Sequence, residues 1–439
     1  MKNYDAIIIG FGKGGKTTAG FFAKQGKKVA LIEKSNQMYG GTCINEGCIP
    51  SKSLIVHSGN TEYAKAVETK EALITKLRKK NYDKLNDLDN VDIYDGVGKF
   101  VDNHTVEING EEQICGEYIF INTGSESVIP PIKGADSKKV YTSASIMKET
   151  KLPQRLAIIG GGYIGLEFAS MYSRYGSEVT VFEHGERLIK REDEDVASTV
   201  QEILEGSGVN FVFNSSVSEL KEKGDIISVI YEVEGKEESK IFDGVLLATG
   251  RKANTKDLGL ENTSVELDQR GNVVVNKYLE TGAPNVFALG DVKGGLQFTY
   301  VSLDDYRIVK DYIFGKKERS TENRQNIAYS VFITPTFSRV GMSEQEAKAK
   351  GHNIKVAKMP TAAIPRANVD GAPQGMLKAV VDADTNKILG CVLICGKSEE
   401  MINFVQLAMN QNLDYTAVAN HIFTHPSMSE SLNDLFGMI

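Results

Sequence analysis

No stretch of this 439-residue chain is apolar for long enough to cross a bilayer as a helix. The apolar run Ala6–Ile9, just after the N-terminal Met1-Lys2-Asn3-Tyr4-Asp5, is too short for the core of a secretory signal. The expected location is therefore the cytoplasm, with no membrane partner. Positive charge is not in excess either. A net charge of -7 and a pI near 5.6 give no electrostatic support for nucleic-acid binding. Proline is scarce, at 10 residues against 42 glycines, a balance that favours close backbone–ligand approaches over disorder. Cysteine is scarce too. Five cysteines in a reducing compartment do not make a disulfide framework, so a close pair among them is a candidate for catalysis or metal binding.

What remains is ordinary globular composition, 41% hydrophobic and 25% charged. The length exceeds one core and allows about three domains.

One pattern occurs twice. Ala6–Ile9 is a short apolar strand, followed by Gly10-Phe11-Gly12-Lys13-Gly14-Gly15, a helical pattern, and a second strand ending at Glu33. Leu156–Ile159 precedes Gly160-Gly161-Gly162-Tyr163-Ile164-Gly165, another helical pattern, and a strand ending at Glu183. In both copies the acid stands 23 residues after the first glycine. Two strand–helix–strand units with matched spacing imply two dinucleotide sites, each with pyrophosphate at a helix N-terminus and a ribose hydroxyl on the acid. Tyr118–Gly124 and Val245–Gly250 read as strands closing on glycine turns, and Val286–Asp291 as a strand closing on Gly-Asp. A lysine-rich helix spans roughly residues 62–86, with a solvated charged face. From about Asn323 the pattern changes to strands and helices without a phosphate loop.

The first loop also satisfies a competing pattern. Gly10 to Thr17 fits GxxxxGK[ST], the loop of nucleotide triphosphatases. Gly12, Ala19 and Glu33 fit the dinucleotide reading instead, and no apolar strand ending in a magnesium-binding Asp accompanies the loop. Lys13 and Lys16 are then either solvated or close to the first cofactor's phosphates.

Cys43 and Cys48 lie in Gly40-Gly41-Thr42-Cys43-Ile44-Asn45-Glu46-Gly47-Cys48-Ile49-Pro50-Ser51-Lys52. They are zinc ligands, buried structural thiols or a redox pair. Zinc needs further ligands, and none is obvious nearby. In one straight helix, residues five apart exceed the roughly 7 Å limit for a disulfide, but Gly47 and Pro50 argue against a straight helix. Cys43 is expected at or before the first helical turn and Cys48 slightly inside it, where N-terminal amides stabilise a thiolate.

That segment resembles the active-site signature of the pyridine nucleotide–disulfide oxidoreductases. Both dinucleotide loops, the two Thr-Gly turns, Gly290-Asp291 and His425-Pro426-Ser427-Met428-Ser429-Glu430 extend the resemblance over nearly the whole chain. It implies an α/β fold with two Rossmann-like domains and a C-terminal α+β dimerisation domain. The implied boundaries are 1–145 and 257–322 for the FAD domain, 146–256 for the NAD(P)H domain and 323–439 for dimerisation. Gly10, Gly12, Gly15, Glu33, Gly41, Thr42, Lys52, Gly98, Thr123, Gly124, Asp291 and Thr299 would then serve FAD. Gly160, Gly162, Tyr163, Gly165, Glu183 and Gly250 would serve NAD(P)H, with Tyr163 covering the flavin until nicotinamide displaces it. Lys52 would pair with Glu167 beside the flavin, Cys48 would contact the flavin, and Cys43 would meet substrate. His425 and Glu430 would come from the other subunit of a homodimer with shared active sites, since a histidine positioned by a carboxylate can shuttle a thiol proton. No resident metal is implied. Ser427 stands where the family usually has threonine, and both carry hydroxyls.

Glu183 favours a ribose hydroxyl over a 2′-phosphate, so NADH is expected over NADPH; Arg187, Lys190 and Arg191 nearby soften that. The chain ends without the extra cysteine pair of mercuric reductases, and Cys115, Cys391 and Cys395 read as packing. Short strings, including Gly10–Lys13, Gly15–Thr17 and Leu432–Phe436, resemble bacterial hypothiocyanous acid reductases, relatives of flavoproteins linked to copper(II) reduction. The implied activity passes electrons from NADH, by way of FAD and Cys43–Cys48, to that small oxidant. Alternatives are a dihydrolipoamide dehydrogenase, a mercuric or copper(II) reductase, a non-catalytic redox sensor, or the nucleotide triphosphatase above.

Overall fold

The computed structural model describes all residues from Met1 to Ile439. The first body is built on β1 (Lys2–Ile9), followed by helix α1 (Lys13–Lys24), β2 (Val29–Glu33), α2 (Thr42–Asn45), α3 (Cys48–His57) and α4 (Tyr63–Asn86). Strands β3 (Val91–Asp95), β4 (Gly98–Phe100), β5 (Thr105–Ile108) and β6 (Glu112–Ile121) complete it. The sheet order is β3-β2-β1-β6-β5-β4, and the later strand Val286–Ala288 adds to β6. β1 is central and parallel to both neighbours, with Ile7 opposite Ala30 and Ile119. Its Ala6–Ile9 end is buried on both faces, which is why it reads as a continuous apolar run. α1 covers the sheet with Gly15, Thr18, Ala19 and Phe22, the spacing of one helical stripe.

The turn from β1 to α1 leaves room for nothing but glycine. Gly10 has φ +105°, and a Cβ there would lie 2.3 Å from the Asn122 carbonyl oxygen. A Cβ on Gly15 would lie 2.4 Å from the Gly10 carbonyl oxygen. Asn122, just past β6, staples this crossing. Its Oδ1 accepts from the Gly15 N–H at 2.7 Å, and its Nδ2 donates to the Leu289 carbonyl at 2.7 Å. Losing that side chain would strand two buried groups, at about 1–3 kcal/mol each.

The second body repeats the device. Its parallel sheet runs in the order Val209–Val212, Glu178–Phe182, Arg155–Ile159, Gly244–Leu247, Val140–Thr142. Gly160 has φ +112° with the Ala248 carbonyl 2.6 Å from its would-be Cβ, and Gly165 stands against Gly160 as Gly15 does against Gly10. The strand Val140–Thr142 belongs to this sheet, although the expected boundary at 145 placed it in the first body. It is three residues long, partly exposed and at an edge, so it carries no periodicity of its own. A three-stranded antiparallel sheet, Ser216–Phe242, closes the outer face around Phe182, Tyr231 and Phe242. Two connections join the bodies as an antiparallel ribbon, Ser125–Ser127 with Arg251–Ala253.

The third body is a five-stranded antiparallel sheet, ordered Tyr329–Val331, Phe337–Gly341, Ile388–Ile394, Met376–Asp382, Ile354–Pro360. Helix Ser398–Asn410 lays Met401, Ile402, Val405 and Ala408 on it. Cys391 and Cys395 sit in this core, and burial pushes the Cys395 thiol up to about 12, which makes it inert. No helix of the chain is long and apolar enough to cross a membrane.

Candidate active site

A cavity of about 2550 Å³ runs between the three bodies. The glycine loop of the first body forms one end. α1 starts at Gly12 with no side chain of its own as a cap and no acid in its first turn; the Gly14 and Gly15 amides are held by Ser302 and Asn122, and those of Gly12 and Lys13 are left for an anion. Gly41, at φ +81°, closes over it, and a Cβ there would lie 2.7 Å from the Gly12 Cα. Glu33 is 7% exposed, and its Oε2 accepts from the Phe11 N–H at 2.9 Å. Burial raises its carboxyl above the usual range, and the Phe11 and Ser35 amides partly offset this. Thr42, Gly98, Thr123 and Gly124 line the same cavity. Asp291 joins them, held by the Ser125 hydroxyl at 2.8 Å. These residues fit a flavin dinucleotide: a cradle with glycine at its tightest points, a helix N-terminus facing it and an acid at the end of β2.

The second loop builds a matching seat. The helix Tyr163–Arg174 begins at Gly162, again without a side-chain cap. Glu183 takes the Gly161 N–H on Oε2 and the Gly185 N–H on Oε1, both at 2.8 Å. Gly162, Tyr163 and Gly250 line the cavity, whereas Gly160, Gly165 and Gly15 shape their turns from behind. Tyr163 has a partner that sequence reasoning missed. Its hydroxyl donates to Glu192 Oε1 at 2.6 Å, and Glu192, 1% exposed, pairs with Arg339 of the third body at 2.9 Å.

The cysteines lie between the two seats, as free thiols. The helix expected here is two helices. Cys43 is in α2 and Cys48 is the first residue of α3, with Glu46-Gly47 as the break. Gly47 keeps that break close-packed: a Cβ would lie 3.1 Å from the Thr42 carbonyl oxygen, tighter than ordinary contact. α3 has no side-chain cap, so its first amides stand free around Cys48. Thr299 opens the helix Thr299–Phe314, and its hydroxyl lies 3.7 Å from Cys48 Sγ. Thr299 was expected to serve FAD; its side chain also reaches the thiols. A hydrogen bond from Cys48 outweighs burial and, with Thr299, Lys16 and Lys52, brings Cys43 down to about 6. Cys48 keeps the shared proton and is pushed up accordingly.

Lys52 Nζ pairs with Glu167 Oε2 at 2.7 Å. The other Glu167 oxygen accepts from the Phe332 N–H at 2.8 Å, fastening the third body to the second. Lys13 lines the cavity; Lys16 does not, and turns instead to Gly40 and Asn81. His425 bonds Glu430 at 2.8 Å through Nδ1, but its side chain is 73% exposed and neither residue lines the cavity of its own chain.

Two family descriptions account for this architecture. "Pyridine nucleotide-disulphide oxidoreductase" matches residues 4–305, and the dimerisation domain of the same group matches residues 327–436. The chain belongs to the pyridine nucleotide-disulphide oxidoreductases. It is an FAD-dependent oxidoreductase that uses a nicotinamide nucleotide, and it carries that family's dimerisation domain. It is 47% identical, over the full length of both chains, to the probable pyridine nucleotide-disulfide oxidoreductase RclA of Escherichia coli. It is 32% identical to a mercuric reductase of Staphylococcus aureus, covering 98% of this chain and 81% of that one. The dihydrolipoyl dehydrogenase of Bacillus subtilis is 31% identical, with 98% of this chain and 97% of that one covered. Among solved structures, a Cu(II) complex of the HOCl-induced flavoprotein disulfide reductase RclA from E. coli superposes with a TM-score of 0.96. It is 46% identical and is matched over 100% of both chains.

Proposed function

We propose that this cytoplasmic enzyme reduces a small oxidant, hypothiocyanous acid, at Cys43 with electrons from NADH, and that it works as a homodimer with shared active sites. The observation that carries this is the isolation of one dithiol in the cavity. Cys43 and Cys48 line it, whereas Cys391 and Cys395 are locked in the third core and Cys115 lies on β6. No further pair is present there to relay a metal ion. The E. coli relative, described as HOCl-induced, agrees with a role in oxidant defence.

The Cys43 thiolate attacks the sulfur of hypothiocyanous acid and forms a sulfenyl thiocyanate as hydroxide departs. Cys48 then attacks the Cys43 sulfur and expels thiocyanate, and its proton converts hydroxide to water. The products are a Cys43–Cys48 disulfide, thiocyanate and water, from one dithiol and one oxidant. Thiocyanate is a stable anion and a good leaving group, as such exchange requires. Bound FAD supplies the electron relay by which NADH restores the dithiol. Lys52 and Glu167 hold the site's charge on that side, and His425 of the other subunit, oriented by Glu430, handles the proton beside Cys43.

The test is anaerobic reduction with NADH followed by reoxidation with hypothiocyanous acid, glutathione disulfide, lipoamide, mercuric ion and cupric ion. Hypothiocyanous acid is expected to reoxidise the enzyme fastest; faster lipoamide would favour the dehydrogenase reading.

The NADH preference rests on Glu183 and on Arg187. The Arg187 guanidinium donates to the Glu192 and Lys190 carbonyls, at 2.9 and 3.0 Å, which ties it to its own loop rather than to a 2′-phosphate. Glu183→Gln removes the charge and is expected to narrow the NADH-over-NADPH ratio of kcat/KM by roughly tenfold, the scale of one charged hydrogen bond. An unchanged ratio would refute the role of Glu183.

A further inference from the structure

The lysine of the false phosphate-loop pattern does something that the dinucleotide fingerprint does not require. Lys16 lies one turn into α1 and is half-buried. Its Nζ donates to Asn81 Oδ1 at 2.6 Å and to the Gly40 carbonyl at 3.3 Å. Asn81 is on α4, where its own Nδ2 is bound to the Leu77 carbonyl at 2.7 Å. Gly40 begins the turn that delivers Cys43. It has φ +97°, and a Cβ there would lie 2.7 Å from Ile44 Cδ1. One ammonium therefore ties α1, the Gly40 turn and α4 together.

Both of its partners are neutral. The titratable groups around it are Lys13 on its own helix, Lys84 on α4, and Cys43. The two lysines repel it and Cys43 attracts it. The other acid nearby in the sequence, Glu46, pairs with Lys148 at 3.0 Å. Lys52, the second cation acting on Cys43, differs in kind, because Glu167 at 2.7 Å already answers its charge. Burial, first, and the two lysines lower Lys16 to about 8, so it stays mostly protonated at neutral pH while Cys43 is ionised. A half-buried cation without a carboxylate is costly unless an anion faces it.

We propose that Lys16 is a positioning cation for the dithiol: it fixes the Gly40–Cys43 turn against α4 and supplies positive charge toward the Cys43 thiolate. This rests on Cys43 being the attacking thiol. It gives the GKGGKT string a meaning in this chain that is independent of nucleotide phosphates.

The experiment is alkylation of the reduced holoenzyme with iodoacetamide over a range of pH, with Cys43 modification read by peptide mass spectrometry. In the unaltered enzyme the midpoint is expected near 6. Lys16→Met is expected to move it up by about one unit, and Lys16→Arg to restore it. Asn81→Ala, which removes the strap and keeps the charge, is expected to move it less than Lys16→Met. If Lys16→Met sheds FAD, Lys16→Gln makes the same comparison with a polar donor kept on the Asn81 side. A midpoint unmoved in Lys16→Met or Lys16→Gln overturns the proposal, as does an equal shift in Asn81→Ala. Failure of Cys43 to react in the unaltered enzyme would instead refute its role as attacking thiol, and this proposal with it.

Discussion

Replacing Cys43 with serine is expected to end multiple turnover while leaving FAD bound. Cys43 is not part of the cradle: the loop around Gly10, Gly12 and Gly41 is held by Asn122 and Glu33, neither of which touches the thiol. What the substitution removes is the nucleophile of the proposed mechanism. A serine hydroxyl in the same place has no accessible anion at neutral pH, whereas the Cys43 thiol is brought to about 6 by the Cys48 hydrogen bond and the nearby hydroxyl and lysines. The loss in kcat should be on the order of 10³-fold or more, the scale of removing a catalytic nucleophile. The unaltered enzyme should show the matching pH dependence. The reactive form is the deprotonated one, so oxidant reduction is full above the Cys43 midpoint and falls away as pH drops through about 6. Steady-state NADH oxidation with hypothiocyanous acid measures both effects, and the flavin absorbance of the purified variant reports binding. Full turnover in Cys43→Ser would remove Cys43 from the mechanism.

Local spacing made part of this site readable and hid the rest. The two glycine loops, the acids 23 residues later and the Gly47 break are local features, and each has a local steric cause visible in the fold. Of the partners far apart in the chain, Lys52 and Glu167, 115 residues apart, were readable through the family resemblance; the others carried no signal. Asn122 meets Leu289 across 167 residues, Tyr163 meets Glu192, which Arg339 pairs, and Glu167 caps the Phe332 N–H across 165 residues. An asparagine after a strand or an acid in a loop looks like a solvated residue until the packing buries it. Lys16 was readable as part of a pattern, but as the wrong one. Its true partners, Gly40 and Asn81, lie 24 and 65 residues away. The edge strand Val140–Thr142 was missed for another reason: three half-exposed residues define no face.

Mixing two inactive variants is expected to restore activity. Each chain keeps His425 out of its own cavity, with the ring exposed and fixed by Glu430 at 2.8 Å, whereas the proposed mechanism places a proton carrier beside Cys43, where hydroxide leaves. A dimer that places each His425 against the other chain's Cys43 meets that need. His425→Ala alone should then lower turnover by about 10²–10⁴-fold, the usual contribution of a positioned acid–base group. Cys43→Ser alone should be inactive for the reason above. In a hybrid dimer of the two variants, one site joins an intact Cys43 to an intact His425, and the other site lacks both. Each hybrid should therefore carry about half the turnover of the unaltered dimer. Random reassociation of equal amounts makes about half the dimers hybrids, so the mixture should recover about a quarter. If each chain used its own His425, every site in every hybrid would lack one group, and mixing would recover nothing. The measured recovery therefore decides between a shared site and two separate ones, and it does so without knowing how the subunits dock.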